Sequence, residues 1–247
     1  SLNQVSSPQS AATWGLDRID QTSLPLNSSY SFNGTGAGTT AFIIDTGIRA
    51  DHAEFAGRVL PGYSAVADGN GTNDCNGHGT HVSGTVGGST WGVAKGVNLV
   101  PVRVLDCAGS GSLSGVIAGI DWAAGSSLRP AVANLSLGSA KSSTVNAAVA
   151  GAYNKGLTLV VVAGNSSANA CNYSPASEPT AITVGATTSA DARASYSNYG
   201  SCLDVFAPGS NITSAWHTSN TATTVKNPNK ARLKASSLRC LRILWPV

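Results

Sequence analysis

The chain has 247 residues, 42% of them hydrophobic and 11% charged, with 28 glycines. That is long enough for one large α/β domain with its own core. No run of about 18 apolar residues occurs, which excludes a membrane-spanning helix. The net charge of +3 is unevenly placed, because Lys226, Lys230, Arg232, Lys234, Arg239 and Arg242 supply six of the 15 basic residues and all 12 acids precede them. Such an asymmetry marks either a nucleic-acid or membrane-binding arm or sequence foreign to the domain. The chain starts with Ser and contains no Met, as expected of a processed mature form. Low charge, abundant Ser, Thr and Asn, and several cysteines are expected of an extracellular protein.

Near the start, Asp17, Asp20 and Gln21 offer hard-cation oxygen donors, with Asn27 and Ser29 as further ones. Asn27-Ser28-Ser29 and Asn33-Gly34-Thr35 have the glycosylation-acceptor pattern. Residues 39–44 read as a core strand after a glycine turn, ending in Asp45. Residues 51–55 read as a helical turn and 68–71 as a loop, where Asp68 and Asp74 are weaker cation candidates. The stretch Asn76-Gly77-His78-Gly79-Thr80-His81-Val82-Ser83-Gly84 reads as a tight turn opening a helix over 78–87. That helix is poor in propensity, so packing must favour it. Strands are expected over 99–105, 131–137, 157–163, 181–186 and 203–207, with helices over 113–125 and 145–154, the latter closed by Gly156. The run over 157–163 is continuously apolar, as in a parallel sheet covered on both faces. Strands alternating with helices predict a doubly wound parallel sheet flanked by helices.

A strand ending in Asp45 and a turn presenting His78 suit nucleophilic hydrolysis: the carboxylate orients the imidazole, and the imidazole takes a proton from a nucleophile. Two other readings are weighed. Asp45-Thr46-Gly47 is also an aspartic-peptidase signature, but that dyad needs a second such carboxylate, and the chain has one Asp-Thr-Gly. His78 and His81 are possible metal ligands, but the Glu of a His-Glu-x-x-His site is absent.

Asp45-Thr46-Gly47 followed by His78-Gly79-Thr80-His81, in the order Asp then His, resembles the subtilase family, in detail its proteinase K and aqualysin-like branch. The similarity runs from about Trp14 to about Thr224. It implies a serine-type endopeptidase acting on polypeptides, secreted and monomeric, with no nucleic-acid partner. It assigns the oxyanion-hole amide to Asn165, after Ala163-Gly164. It makes Gly109, Ser110 and Gly111 the edge that pairs with substrate, and Leu135, Ser136, Leu137 and Gly138 the opposite wall. Those walls are small and apolar without an acid, so aromatic or aliphatic P1 residues are expected. The resemblance also implies structural calcium, at Asp17, Asp20, Gln21, Asn27 and Ser29, and at the carbonyls of Pro179 and Ala181 with the carboxylate of Asp204. It pairs Cys75 with Cys107 and Cys171 with Cys202, leaving Cys240 over.

The resemblance then stops. After Ser219-Asn220-Thr221-Ala222-Thr223 the family's Gly-Thr-Ser-Met-Ala-x-Pro nucleophile motif is missing, and its serine position falls near Lys230. Ser236 and Ser237 follow without the glycine turn or small neighbours. The expected division is therefore an incomplete peptidase domain over 1–224, lacking its carboxyl-terminal part, and a foreign basic tail over 225–247. The chain as written is expected not to cleave peptides. The alternative is a non-catalytic peptide-binding pseudoenzyme whose amphipathic basic tail binds a membrane or partner. The break falls inside a motif, which favours translated non-coding sequence over such an arm.

Overall fold

The structure is a computed structural model that describes residues 8–226. Seven strands form its parallel sheet: β1 (Thr40–Asp45), β2 (Tyr63–Ser64), β3 (Asn98–Arg103), β4 (Ala131–Leu135), β5 (Thr158–Val162), β6 (Ile182–Thr187) and β7 (Val205–Pro208). Their order across the sheet is β7-β6-β5-β4-β1-β3-β2. The helices are α1 (Trp14–Ile19), α2 (His78–Gly87), α3 (Leu113–Gly125) and α4 (Ser143–Asn154). A hairpin of β8 (Ile212–Ala215) and β9 (Thr223–Lys226) follows the sheet. No described helix is long and apolar enough to cross a membrane.

Side-chain alternation sorts the core. Along β1, Phe42 and Ile44 join the apolar layer containing Val116, Ile120 and Val149 of α3 and α4. Ala41 and Ile43 point the other way, toward Val82 and Val86 of α2. Both faces of β1 are covered, which is why the strand reads as an unbroken apolar run. A separate cluster of Leu16, Ile19, Tyr30, Val93 and Ile212 ties α1 to the body.

The expected elements recur with shifted ends. β1 extends through Asp45, because Asp45 pairs with Arg103 across the ladder. β3 stops at Arg103, and the next two amides, of Val104 and Leu105, both donate to the Asp45 carbonyl. β4 ends at Leu135, two residues early, where the chain leaves the sheet. α4 begins at Ser143 rather than 145, because the Ser142 hydroxyl caps it by accepting from Val145 N.

All ten residues of α2 are buried. Its hydroxyls turn back onto its own carbonyls, Ser83 Oγ to Gly79 O at 2.7 Å and Thr85 Oγ1 to His81 O at 3.0 Å. Close packing thus offsets the weak propensity. The strand order reverses at β1, with β3 on one side and β4 on the other. In open α/β sheets a crevice forms outside the carboxyl ends of strands at such a switch point.

Candidate active site

A cleft of about 680 Å³ lies at that switch point. One wall is Gly109, Ser110 and Gly111, beyond β3; the other is Ser136, Leu137 and Gly138, beyond β4. His78 and Thr46 also line it. Leu135 does not: it is fully buried in the layer with Phe42 and Ile44, because it still belongs to β4.

Asp45, the last residue of β1, is fully buried. His78 Nδ1 donates to its carboxylate, at 2.7 Å from Oδ1 and 2.8 Å from Oδ2. Thr46 N also donates to Oδ1, at 2.7 Å. A proton held on Nδ1 by the carboxylate leaves the ring's lone pair on Nε2, the tautomer a general base requires. Asp45 is thereby paired with a histidine rather than a second carboxylate. His81 Nε2 donates instead to Ile212 O at 3.1 Å, so the two histidines are turned to different partners.

The turn before His78 demands glycine. Gly77 has φ +101°, and a Cβ there would lie 2.5 Å from Trp216 and His217 side-chain atoms. A Cβ on Gly79 would run into the Gly47 carbonyl, so this position lets α2 abut the end of β1.

Asp74 organises this junction. Its buried carboxylate accepts from Thr46 Oγ1 at 2.9 Å, Asn76 N at 3.0 Å and Gly77 N at 2.8 Å through Oδ1. Through Oδ2 it accepts from Thr80 N at 2.8 Å and Thr80 Oγ1 at 2.6 Å. Thr46 Oγ1 in turn accepts from Gly79 N at 2.8 Å. Asp74 thus satisfies Gly77 N before the helix and Thr80 N in its first turn, and through Thr46 ties that turn to the residue after Asp45. By residue type Asp74 is a weak cation candidate; an Asx turn just before a helix start is the signal that points to its structural use.

Asp68 is likewise committed, to the fully buried Arg103, through two bonds of 2.6 Å. The guanidinium holds the Asp68 carboxyl well below the usual carboxylate range. Asp68, Cys75 and Cys107 form a group of metal-ligand type, but both sulfurs are bonded to each other. The Cys75–Cys107 disulfide joins the loop before His78 to the segment that leads into Gly109. Cys171–Cys202 is the second bridge, so both expected pairings form.

Asn165 follows the carboxyl end of β5, partly buried, and lies outside the cleft-lining residues. At the amino-terminal oxygen cluster, Asp17 accepts from Asn27 N at 3.3 Å and Ser28 N at 2.6 Å, and Asn27 Oδ1 accepts from Ser29 N at 2.9 Å. The Gln21 side-chain amide donates to the carbonyls of Ser23 and Pro25. Asp20 Oδ1 is buried without a protein partner. An all-oxygen donor set with one orphaned carboxylate oxygen fits a hard cation. At the second set, Asp204 Oδ2 accepts from Thr183 N at 2.7 Å, and the Asp204 carboxylate has no buried oxygen without a partner. Fit there rests on donor chemistry alone. Lys230, Ser236, Ser237 and Cys240 lie outside the described residues.

A model of the Subtilase family matches residues 36–237. The chain is 57% identical over 238 residues to the extracellular serine proteinase of Thermus sp. (strain Rt41A), covering 96% of this chain and 58% of that protein. It is 59% identical over 209 residues to alkaline serine exoprotease A of Vibrio alginolyticus, covering 85% of this chain and 39% of that protein. The chain therefore spans about half the length of the curated relatives it matches. A crystal structure of a cold adapted subtilisin-like serine proteinase superposes with a TM-score of 0.86 at 51% identity, over 94% of this chain and 81% of that one. With the Asp45–His78 pair on the wall of a switch-point cleft and a family match over most of its length, the chain belongs to the subtilase family.

Proposed function

We propose that this chain carries the general-base pair and the substrate cleft of a secreted subtilisin-like serine endopeptidase, and that as written it binds extended peptides without hydrolysing them at a useful rate. The observation that carries this reading is the Asp45–His78 hydrogen bond, set beside the walls at Gly109–Gly111 and Ser136–Gly138. A peptide entering the cleft adds a strand along these walls, backbone bonds supplying affinity and pockets supplying selectivity. Asp45 orients His78 and stabilises the imidazolium; His78 Nε2 takes the proton of a nucleophile. Asn165 is assigned as donor to the developing oxyanion by its place in the motif. Among the described residues no acidic side chain lines the cleft, which supports aromatic or aliphatic rather than basic P1 residues in a full-length parent. Two disulfides support a secreted protein.

No Gly-Thr-Ser occurs in the sequence, so His78 has no family hydroxyl to activate. Loss of that serine costs on the order of 10⁶ in turnover, the value for subtilisin itself. We take 1–224 as the family's sequence and the basic segment 225–247 as foreign to it, on composition; the first two residues of that segment, Val225 and Lys226, fold into the domain by pairing with Thr213 and Ile212 in the β8–β9 hairpin. Calcium, held by the cluster around Asp20, would supply structural bonds only.

The test is expression of residues 1–247 in an oxidising compartment with calcium, followed by a fluorophosphonate probe. No labelling is expected, together with retention of an extended peptide. Stoichiometric labelling that maps to Ser236 or Ser237 and disappears in His78→Ala would refute the inactivity.

A further inference from the structure

The cleft carries a charge that the general-base chemistry does not use. Lys226, at the end of β9, lines it together with Trp216, Thr46, Asn76 and His78. Its Nζ sits 3.9 Å from the centroid of the Trp216 ring, a cation–π contact that holds the ammonium in place. No Asp, Glu or Arg is among the residues lining the cleft, so among the described residues Lys226 is its one formal charge. Lys226 forms no ion pair with any described carboxylate. The nearby charge that attracts it, Asp74, is buried and spends both oxygens on five donors of its own. A half-buried ammonium without an anionic partner favours a ligand that supplies one.

We propose that the cleft is selective for peptides that present a carboxylate to Lys226. The proposal rests on the peptide-binding reading and adds the chemistry of the ligand. The carboxylate belongs either to the free carboxyl end of a peptide or to an acidic side chain. Both are small oxyanions able to pass between walls of Gly and Ser. An amide or an alkyl group at the same place would leave the ammonium unpaired.

Fluorescence anisotropy with the full chain tests this, using four labelled extended hexapeptides. Two differ only in a free or amidated carboxyl end, and two amidated ones differ only in Glu or Gln at one interior position. At low ionic strength at least one acid is expected to bind about tenfold more tightly than its neutral twin, the size of one charge-assisted hydrogen bond. The arm with the preference identifies the source of the carboxylate. Lys226→Gln should bring each acid to the affinity of its neutral twin, while Lys226→Arg should keep the preference. Equal binding of acids and neutral twins overturns the proposal and leaves peptide binding standing; so does a preference that survives Lys226→Gln. Failure of all four to bind overturns the peptide-binding reading and this proposal with it.

Discussion

Two segments of this molecule each carry two aspartates, which meet opposite fates. In residues 68–78, Asp68 is clamped on the buried guanidinium of Arg103, and Asp74 accepts five hydrogen bonds at the start of α2. In residues 17–31, Asp17 is occupied by backbone amides, but Asp20 keeps one buried oxygen with no protein partner. An aspartate-bearing segment keeps room for a cation only where the fold leaves oxygens unspent. Where amides or a guanidinium take them first, the same residues become rivets of the backbone. The first loop sits under the general base and must be rigid; the second caps a short helix at the periphery.

The largest effect that sharpens this contrast is expected at Asp74. Asp74→Ala strands the amides of Asn76, Gly77 and Thr80 together with two hydroxyls, and should cost at least about 3 kcal/mol in denaturant unfolding. A loss below about 1 kcal/mol would mean that water replaces the carboxylate and that the loop is no rivet.

Calcium should act on the other loop alone. At a concentration about 100 times its dissociation constant, an ion that binds only the folded state adds about 2.7 kcal/mol. Addition of a chelator should therefore lower the melting temperature of the parent chain, and Asp20→Asn should reduce that response. A melting temperature indifferent to chelator, or a response unchanged in Asp20→Asn, would erase the distinction between the loops.

The smallest effect belongs to Asp68, whose side chain is partly open to water. Its carboxyl is held below the ordinary range by Arg103, so the unfolded state binds the proton first as pH falls. The stability it contributes is complete above about pH 4, the unfolded value, and is lost as pH drops toward the folded one. The difference in unfolding free energy between the parent and Asp68→Asn should thus be flat near neutrality and shrink in acid. A difference that grows as pH falls would contradict the assigned pair.

Much of the fold was legible in the residues themselves. The unbroken apolar run before Asp45 and the run over 157–163 announced strands covered on both faces, and α3 spans the expected residues 113–125. The Asp45–His78 hydrogen bond joins two residues whose motifs each marked a position at the end of a strand or the start of a helix. Such signals are local: alternation, helical spacing and glycine turns act within a few residues, so sequence carries them directly. What only the tertiary structure decided involves groups far apart in the chain. Asp74 meets Thr46 across 28 positions, so sequence marks it only as an oxygen donor, and packing of α2 against β1 makes it a hub. Leu135 looked like cleft wall by its motif, yet β4 keeps it inside the sheet until the following residue. Lys226 belonged, by composition, with a basic tail; the β8–β9 hairpin carries it back to the cleft beside Trp216. A carboxylate or an ammonium takes its role from the partners the fold brings within about 3–4 Å, and residue type alone does not name those partners.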